Sequence, residues 1–528
     1  MSSVRRSTWV YALIALLLTL PATIAIARAD SGLWRTEITV SGIPITVVAP
    51  DDEEMRPGVV VVHGFAGSSE IMDPLAVAFA RAGYRVAIPD LHGHGSNEAP
   101  LPLDSEGRGD PAALQTDIAT VVDWLAAQQG VDPQQIGLVG HSMGAGAVVA
   151  FAVADAQGAQ RIRGTVSLSL PSADDVPVGN PAVPRNLLLM WGSAEPALFS
   201  NAGETALHAG YPAGLVGQSY GSGAEGTARG TFVVPGVEHI GIVFSSVTAQ
   251  QSVDWLDATV AVGSPGHSVS PDTRVLWLLV LLAGAIVGFV PLARAAFGTP
   301  TLLEPSARAP ITPAVWVVPT VVVAALVASM VGALLDGRRA VLPLSVADYT
   351  VVWFGVVGIV AGVIAWRIGR RHRPSITGDF GGVGRQVLAT LAMTAYVVAV
   401  LALASQHTWS DFALVGGRRW VLLVVEVALL AFFWADERLV ARASRPRRAL
   451  LVAANRVVVV VVLIVAVSVF HAPGVLTLWV PIVAILFVVL GVCGFVVSGL
   501  TRERWAPAVV QAIPLAYLMA TAFPLISG

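Results

Sequence analysis

Gln135-Ile-Gly-Leu-Val-Gly-His-Ser-Met-Gly-Ala-Gly-Ala-Val-Val-Ala150 decides the fold of the first half of this 528-residue chain. Residues 135–139 are β-rich and apolar, and residues 143–154 are small and helix-compatible. Between them stands Gly140-His-Ser142-Met-Gly144, a Gly-x-Ser-x-Gly pattern in the strand-turn-helix setting that gives it meaning. Glycine flanks the serine on both sides because a strand that turns abruptly into a helix leaves no room there for a Cβ. Such a turn lifts a serine hydroxyl into a position suited to nucleophilic attack.

Working outward, short apolar runs at 38–48, 58–62, 84–88, 162–168, 186–190 and 231–234 alternate with helix-like stretches at 71–81, 111–128 and 246–259. The alternation predicts an α/β fold with a doubly wound, mostly parallel sheet over about 34–260. The run 38–48 reads as a hairpin pair around Ile43-Pro44. The strand Val59-Val-Val-Val62 ends in His63-Gly64-Phe65-Ala66-Gly67-Ser68. Acyl transfer needs two backbone N–H groups aimed at the developing oxyanion, and Phe65 on this loop and Met143 after the serine can supply them. His63, Gly64 and His141 fall beside that hole as candidate substrate-side residues, with His63 shaping the loop rather than moving protons.

On these residues the chain resembles the α/β-hydrolase superfamily over about 34–260. Gly83-Tyr-Arg-Val-Ala-Ile-Pro-Asp90-Leu-His-Gly93-His-Gly95-Ser96 resembles the family's strand and following loop, with His92 where many members have arginine. The resemblance implies the chain order nucleophile, acid, histidine. Ser142 is then the nucleophile, and Glu195, in Gly192-Ser-Ala-Glu-Pro196, takes the place usually held by aspartate, with Asp175 in reserve. His239, in Pro235-Gly-Val-Glu-His-Ile-Gly241, is the base. Glu238 beside it reads as a solvated loop charge. His92 and His94 make a poor metal pair, and the mechanism implies neither metal nor organic cofactor. The stretch 168–186 is too short for a large helical cap, so 196–230 reads as a flexible flap or a loop.

Composition describes the rest. The mean hydropathy is +0.71, 55% of residues are hydrophobic and 13% are charged, which is wrong for a purely soluble chain. All 32 basic residues are arginine, which excludes Schiff-base chemistry and the phosphate-loop lysine. One cysteine, Cys493, leaves no intrachain disulfide and no thiolate cluster. Residues 1–273 hold 12 arginines against 26 acids, a balance of −14, and the remainder holds 20 against nine, a balance of +11. The acidic first half argues against nucleic acid as a partner.

Residues 1–29 have Arg5 and Arg6, an apolar core and the small-x-small tripeptide Ala27-Arg-Ala29, the layout of a signal peptide or an N-terminal anchor. Residues 30–262 then form the hydrolase-like domain, and 263–274 a linker rich in turn residues. Residues 275–528 form a polytopic region of about eight spans, at 275–293, 312–334, 347–366, 386–405, 415–434, 450–470, 475–498 and 507–526. With the first domain outside, 15 of the 20 arginines beyond residue 273 fall on cytoplasmic connections. Glu426 stands inside a span and needs a partner, for which Asn455 and Arg456 are the candidates.

The expected function is a multi-pass cell-membrane serine hydrolase that cleaves carboxylic esters on the extracytoplasmic side, with an acyl substrate and the lipid bilayer as partners. A transporter or sensor with a non-catalytic ligand-binding domain is the alternative, and a peptidase or thioesterase on the same triad stands behind it.

Overall fold

The computed structural model describes all residues except 1, 104–108, 262–267, 271, 299–300, 303–313, 336–340, 370–377, 380–381, 442, 471, 474–475, 502 and 528. Half of the expected linker, residues 263–267 and 271, lies outside the described residues. So do Arg308, Arg338, Arg339, Arg370, Arg371, Arg373, Arg442 and Arg502 of the connections between spans.

The chain forms two compact units. One comprises Ala25–Trp277, Ser405–Gly416 and Thr521–Gly528, and the other Met1–Ile24, Leu278–Ala404 and Gly417–Ala520. The elements run α1 (Ser2–Ala27), β1 (Leu33–Val40), β2 (Ile43–Pro50), β3 (Arg56–Val62), α2 (Ser69–Arg81), β4 (Arg85–Pro89), β5 (Leu101–Pro102), α3 (Pro111–Ala126), β6 (Val131–His141) and α4 (Met143–Gln157). They continue as β7 (Ile162–Leu168), β8 (Leu187–Gly192), α5 (Ala197–Gly210), β9 (Ser219–Tyr220), β10 (Arg229–Val234) and α6 (Ser246–Thr259).

The main sheet has the order β1-β2-β4-β3-β6-β7-β8-β10-β9. The six strands from β4 to β10 run parallel, and β1, β2 and β9 attach antiparallel at the edges. The doubly wound α/β expectation holds. Because helices cover both faces, the central strands are buried over most of their length, and β8 throughout. Val59 and Val61 of β3 pack with Met72, Phe79 and Leu256 of α2 and α6, while Val60 and Val62 pack with Ile118, Val122 and Val148 of α3 and α4. Local signals place the helix starts: Asp110 caps α3 by accepting from the Ala112 amide, with Pro111 in the first turn, and Ser245 caps α6 by accepting from Thr248 N–H.

Two expectations are corrected. The β1–β2 turn sits at Ser41-Gly42 rather than around Ile43-Pro44, because these two residues have positive φ, 51° and 88°, as a two-residue hairpin of the type I′ kind needs. The 196–230 segment is ordered: it begins with the helix α5, whose Phe199, Ala206 and Leu207 are buried against Leu189 and Trp191, and it ends in a pairing of β9 with β10. Its small residues hid a helical face.

The same unit takes in two later segments. One is Ser405–Gly416, which begins at the last residue of a long helix, and in the other the strand β13 (Ile526–Ser527) pairs parallel with β5. Leu525 N–H donates to Gly93 O at 2.8 Å, and Leu101 N–H donates to Leu525 O at 2.9 Å. The last span therefore ends at Ala522 rather than 526, since the residues after it enter a strand pairing. Within this unit the buried Asp73 of α2 is held by Arg35 at 2.9 Å and Arg274 at 3.0 Å.

The other unit is helical: α7 (Arg274–Phe297), α8 (Val317–Leu335), α9 (Ala347–Gly369), α10 (Val383–Ser405), α11 (Arg418–Leu439), α12 (Arg445–Phe470), α13 (Leu476–Ser498) and α14 (Trp505–Ala522). A short strand pair, β11 (Thr301–Leu302) with β12 (Gly378–Asp379), accompanies them. Each expected span overlaps one of these helices, with bounds that differ by several residues in places. Eight helices among the described residues, α1 included, are long and apolar enough to cross a membrane; α11, which carries Glu426, Asp436 and Glu437, is not in that set. Several long apolar helices fit a multi-pass membrane protein.

The expected pairing of Glu426 is corrected too. Asn455 Nδ2 donates to Asp436 at 2.6 Å and Arg456 to the other Asp436 oxygen at 2.9 Å. Glu437 pairs with Arg448, and Gln511 bonds to both Arg456 and Glu437. The Arg456 guanidinium lies over the rings of Phe432, Phe433 and Phe487. The buried Asp436 carboxylate near the end of α11 takes both expected partners of Glu426, which is only half-buried.

Candidate active site

Ser142 sits between β6 and α4 with φ 54° and ψ −117°, a conformation few side chains tolerate. A Cβ on Gly140 would lie 2.3 Å from Gly144 O, and one on Gly144 would lie 2.5 Å from both Val62 O and His63 O. Both glycines of the motif are therefore required by backbone close approach. Met143 opens α4 directly after Ser142, so its amide has no acceptor within the helix.

His239 follows β10. Ser142 Oγ–H donates to its Nε2 at 3.0 Å, and its Nδ1–H donates to Glu195 Oε1 at 2.6 Å. Phe199 of α5 stacks on the imidazole with centroids 4.3 Å apart and 18° between planes. Glu195 follows β8 and its side chain is buried. Its Oε1 also accepts from Ser169 Oγ at 2.7 Å, and its Oε2 accepts from Gly192 N–H at 2.8 Å. Three donors compensate the buried carboxylate. Asp175 is exposed and takes no part in this chain of bonds. Glu238 caps the turn after His239, accepting from Ile240 and Gly241 N–H at 2.9 and 2.7 Å.

The loop after β3 is a tight turn closed by Gly67 N–H to Gly64 O at 3.2 Å, with Ala66 in the left-handed region at φ 60°. His63 is fully buried; Leu91 N–H donates to its Nε2 at 3.1 Å and its Nδ1–H donates to Gly64 O at 2.8 Å. Gly64 O and Phe65 N–H belong to one planar trans peptide, so fixing the carbonyl aims the amide in the opposite direction. His63 thus shapes the loop through its Gly64 carbonyl. Burial keeps this ring neutral, lowering it from 6.5 to about 4. His141 is buried as well, and its Nε2–H donates to His239 O at 2.9 Å; burial and the neighbouring His239 hold it well below its ordinary value. Its Nδ1 has no partner and lies 3.0 Å from where a Gly64 Cβ would be.

His92 is paired elsewhere, with its Nδ1 2.7 Å from the Asp117 carboxylate, which raises its pKa. That carboxylate lies far along the chain and its approach was invisible in sequence. His94 Nδ1–H donates to His92 O at 2.8 Å. Sequence reasoning also missed Ser169 and Phe199. Ser169 follows a strand end as many serines do, and Phe199 lies in the segment read as a flap.

Residues 57–202 match the family described as alpha/beta hydrolase fold. An uncharacterized 31.7 kDa protein of Escherichia coli is 34% identical over 127 residues, 24% of this chain and 41% of that protein. A thermostable monoacylglycerol lipase of Bacillus sp. is 55% identical over 40 residues, 8% of this chain and 16% of the lipase. A solved dienelactone hydrolase of Anabaena variabilis aligns at 18% identity and a TM-score of 0.32, covering 43% of this chain and 98% of its own. The chain thus spans less than half the length of the curated relatives named here. The sheet order, the strained serine turn and the family match together make the first half of this chain an α/β-hydrolase domain, which long apolar helices follow.

Proposed function

We propose that this protein is a membrane-bound serine hydrolase that cleaves carboxylic esters, with its hydrolase domain on the extracytoplasmic side. The observation that carries the reading is the unbroken line of bonds Ser142 Oγ to His239 Nε2 and His239 Nδ1 to Glu195. As Ser142 Oγ attacks the substrate carbonyl carbon, its proton passes to His239 Nε2. Glu195 holds the ring in the tautomer that leaves Nε2 free to accept, and stabilises the imidazolium. The carbonyl oxygen becomes an oxyanion that accepts from the Phe65 and Met143 amides. Collapse expels the alcohol, which takes the proton from Nε2. His239 then deprotonates a water that attacks the acyl-enzyme, releasing the acid and restoring the serine. The stretch shared with a monoacylglycerol lipase supports an ester of an amphiphilic acid as substrate, and the long apolar helices are in keeping with an enzyme held in a bilayer that would carry one.

The full chain in detergent is expected to react with a fluorophosphonate probe and to hydrolyse a p-nitrophenyl acyl ester, with Ser142→Ala abolishing both. Undiminished labelling of Ser142→Ala would overturn the reading. Sidedness is read by Val178→Cys at an exposed position, since the native Cys493 is buried. Reaction with an impermeant maleimide on intact cells supports an outward domain, and protection until lysis places it inside.

A further inference from the structure

The turn that carries the Phe65 amide is gripped by a segment remote in sequence. Trp409, in the Ser405–Gly416 segment between α10 and α11, donates its indole N–H to Ala66 O at 2.8 Å. Two residues on, Asp411 N–H donates to Ser68 Oγ at 3.1 Å, and the Asp411 carboxylate accepts from Ser96 Oγ. The segment is itself braced: Trp409 N–H donates to Ser405 O at 2.8 Å, and the buried Ser405 hydroxyl donates to Ser410 O at 2.9 Å.

These bonds converge on one peptide. Ala66 O and Gly67 N–H lie at opposite edges of the same planar group. Trp409 holds its oxygen edge, and its N–H edge closes on Gly64 O. Gly64 O in turn belongs to the peptide whose N–H is Phe65. Ala66, held at φ 60° although it is not glycine, sits in the middle of this clamp. Such a conformation persists only where its surroundings over-determine it. Without the indole N–H, the buried Ala66 carbonyl loses this partner and the turn is free to relax toward an ordinary conformation, rotating the Phe65 amide.

We propose that Trp409 is a positioning residue for the oxyanion hole: its indole N–H locks the Gly64–Gly67 turn so that Phe65 N–H points at the substrate oxygen. The proposal rests on the reading of this site as a serine hydrolase. It makes the hydrolase site incomplete without a segment that lies between two long helices in the chain.

The test uses the full chain in detergent with a p-nitrophenyl acyl ester, comparing wild type, Ser142→Ala, Trp409→Phe and a chain with 3-benzothienylalanine at 409, which keeps the ring shape and lacks the N–H. Activity is normalised to Ser142 titrated by fluorophosphonate at completion, so that misfolded protein is not counted. Both 409 variants are expected to lose roughly 10-fold to 100-fold in kcat, and in the rate of fluorophosphonate labelling, with KM within about two-fold of wild type. A contact that served folding alone would lower the melting temperature and leave kcat per titrated serine unchanged; that outcome overturns the proposal while the hydrolase reading stands. If Trp409→Phe does not fold, the benzothienyl variant carries the same comparison. A wild-type chain with neither turnover nor labelling overturns both.

Discussion

Ser169 Oγ lies 2.7 Å from Glu195 Oε1, the same oxygen that receives the His239 Nδ1–H. One carboxylate oxygen therefore serves both the base and a hydroxyl from the neighbouring strand end. The arrangement holds a glutamate, one methylene longer than the usual aspartate, in a single orientation. Ser169→Ala is expected to cost about 1–2 kcal/mol of that restraint and to lower kcat roughly 10-fold with KM unchanged. Steady-state kinetics on the ester substrate, with labelling to count active serines, measure it.

Glu195→Gln tests the acid itself. An amide cannot enforce the Nδ1–H tautomer, so kcat should fall by about 10³–10⁴, while Asp175→Asn leaves it at wild-type level. The reverse result would move the acid to Asp175.

Gly144→Ala probes the serine turn. The new methyl carbon would stand 2.5 Å from two carbonyl oxygens of β3 and the loop after it, far inside contact distance. A loss of more than about 3 kcal/mol, or no folded protein, is expected in thermal unfolding. Gly179→Ala, at an open turn position where nothing stands near the Cβ, is the control and should cost about 1–2 kcal/mol through its positive φ.

Acid sensitivity follows from His63. Its folded pKa of about 4 lies below the ordinary 6.5, so it contributes stability that is complete above pH 6.5 and is lost as pH falls toward 4. The full effect is about 3 kcal/mol. Melting temperatures measured from pH 7 to pH 4 should fall, and His63→Gln should flatten that slope even though it starts less stable.

In the helical unit, Arg456→Ala leaves Asp436 with Asn455 as its remaining partner in an apolar surrounding. It should destabilise the protein by about 3–5 kcal/mol in detergent, whereas Glu426→Gln should be close to neutral. Equal effects of the two would mean that the buried network is not what holds α11, α12 and α14 together.

The sequence by itself determined what depends on neighbours along the chain. The apolar runs and their alternation specified the parallel sheet, because a strand covered on both faces must be apolar throughout. Gly140 and Gly144 announced the serine turn, because only a missing Cβ permits it, and the order Ser142, Glu195, His239 followed from a shared family pattern. Long apolar stretches marked the helices by length alone.

Tertiary structure decided the rest. Trp409 and Ala66 are 343 residues apart, and Asp436 was chosen over Glu426 by the way α11 and α12 pack. Ser169, Phe199, Asp117 and the strand pairing of residues 526–527 carry no local mark of their roles. A hydrogen bond or a ring contact depends on two surfaces meeting in space, and nothing in either short stretch records its partner.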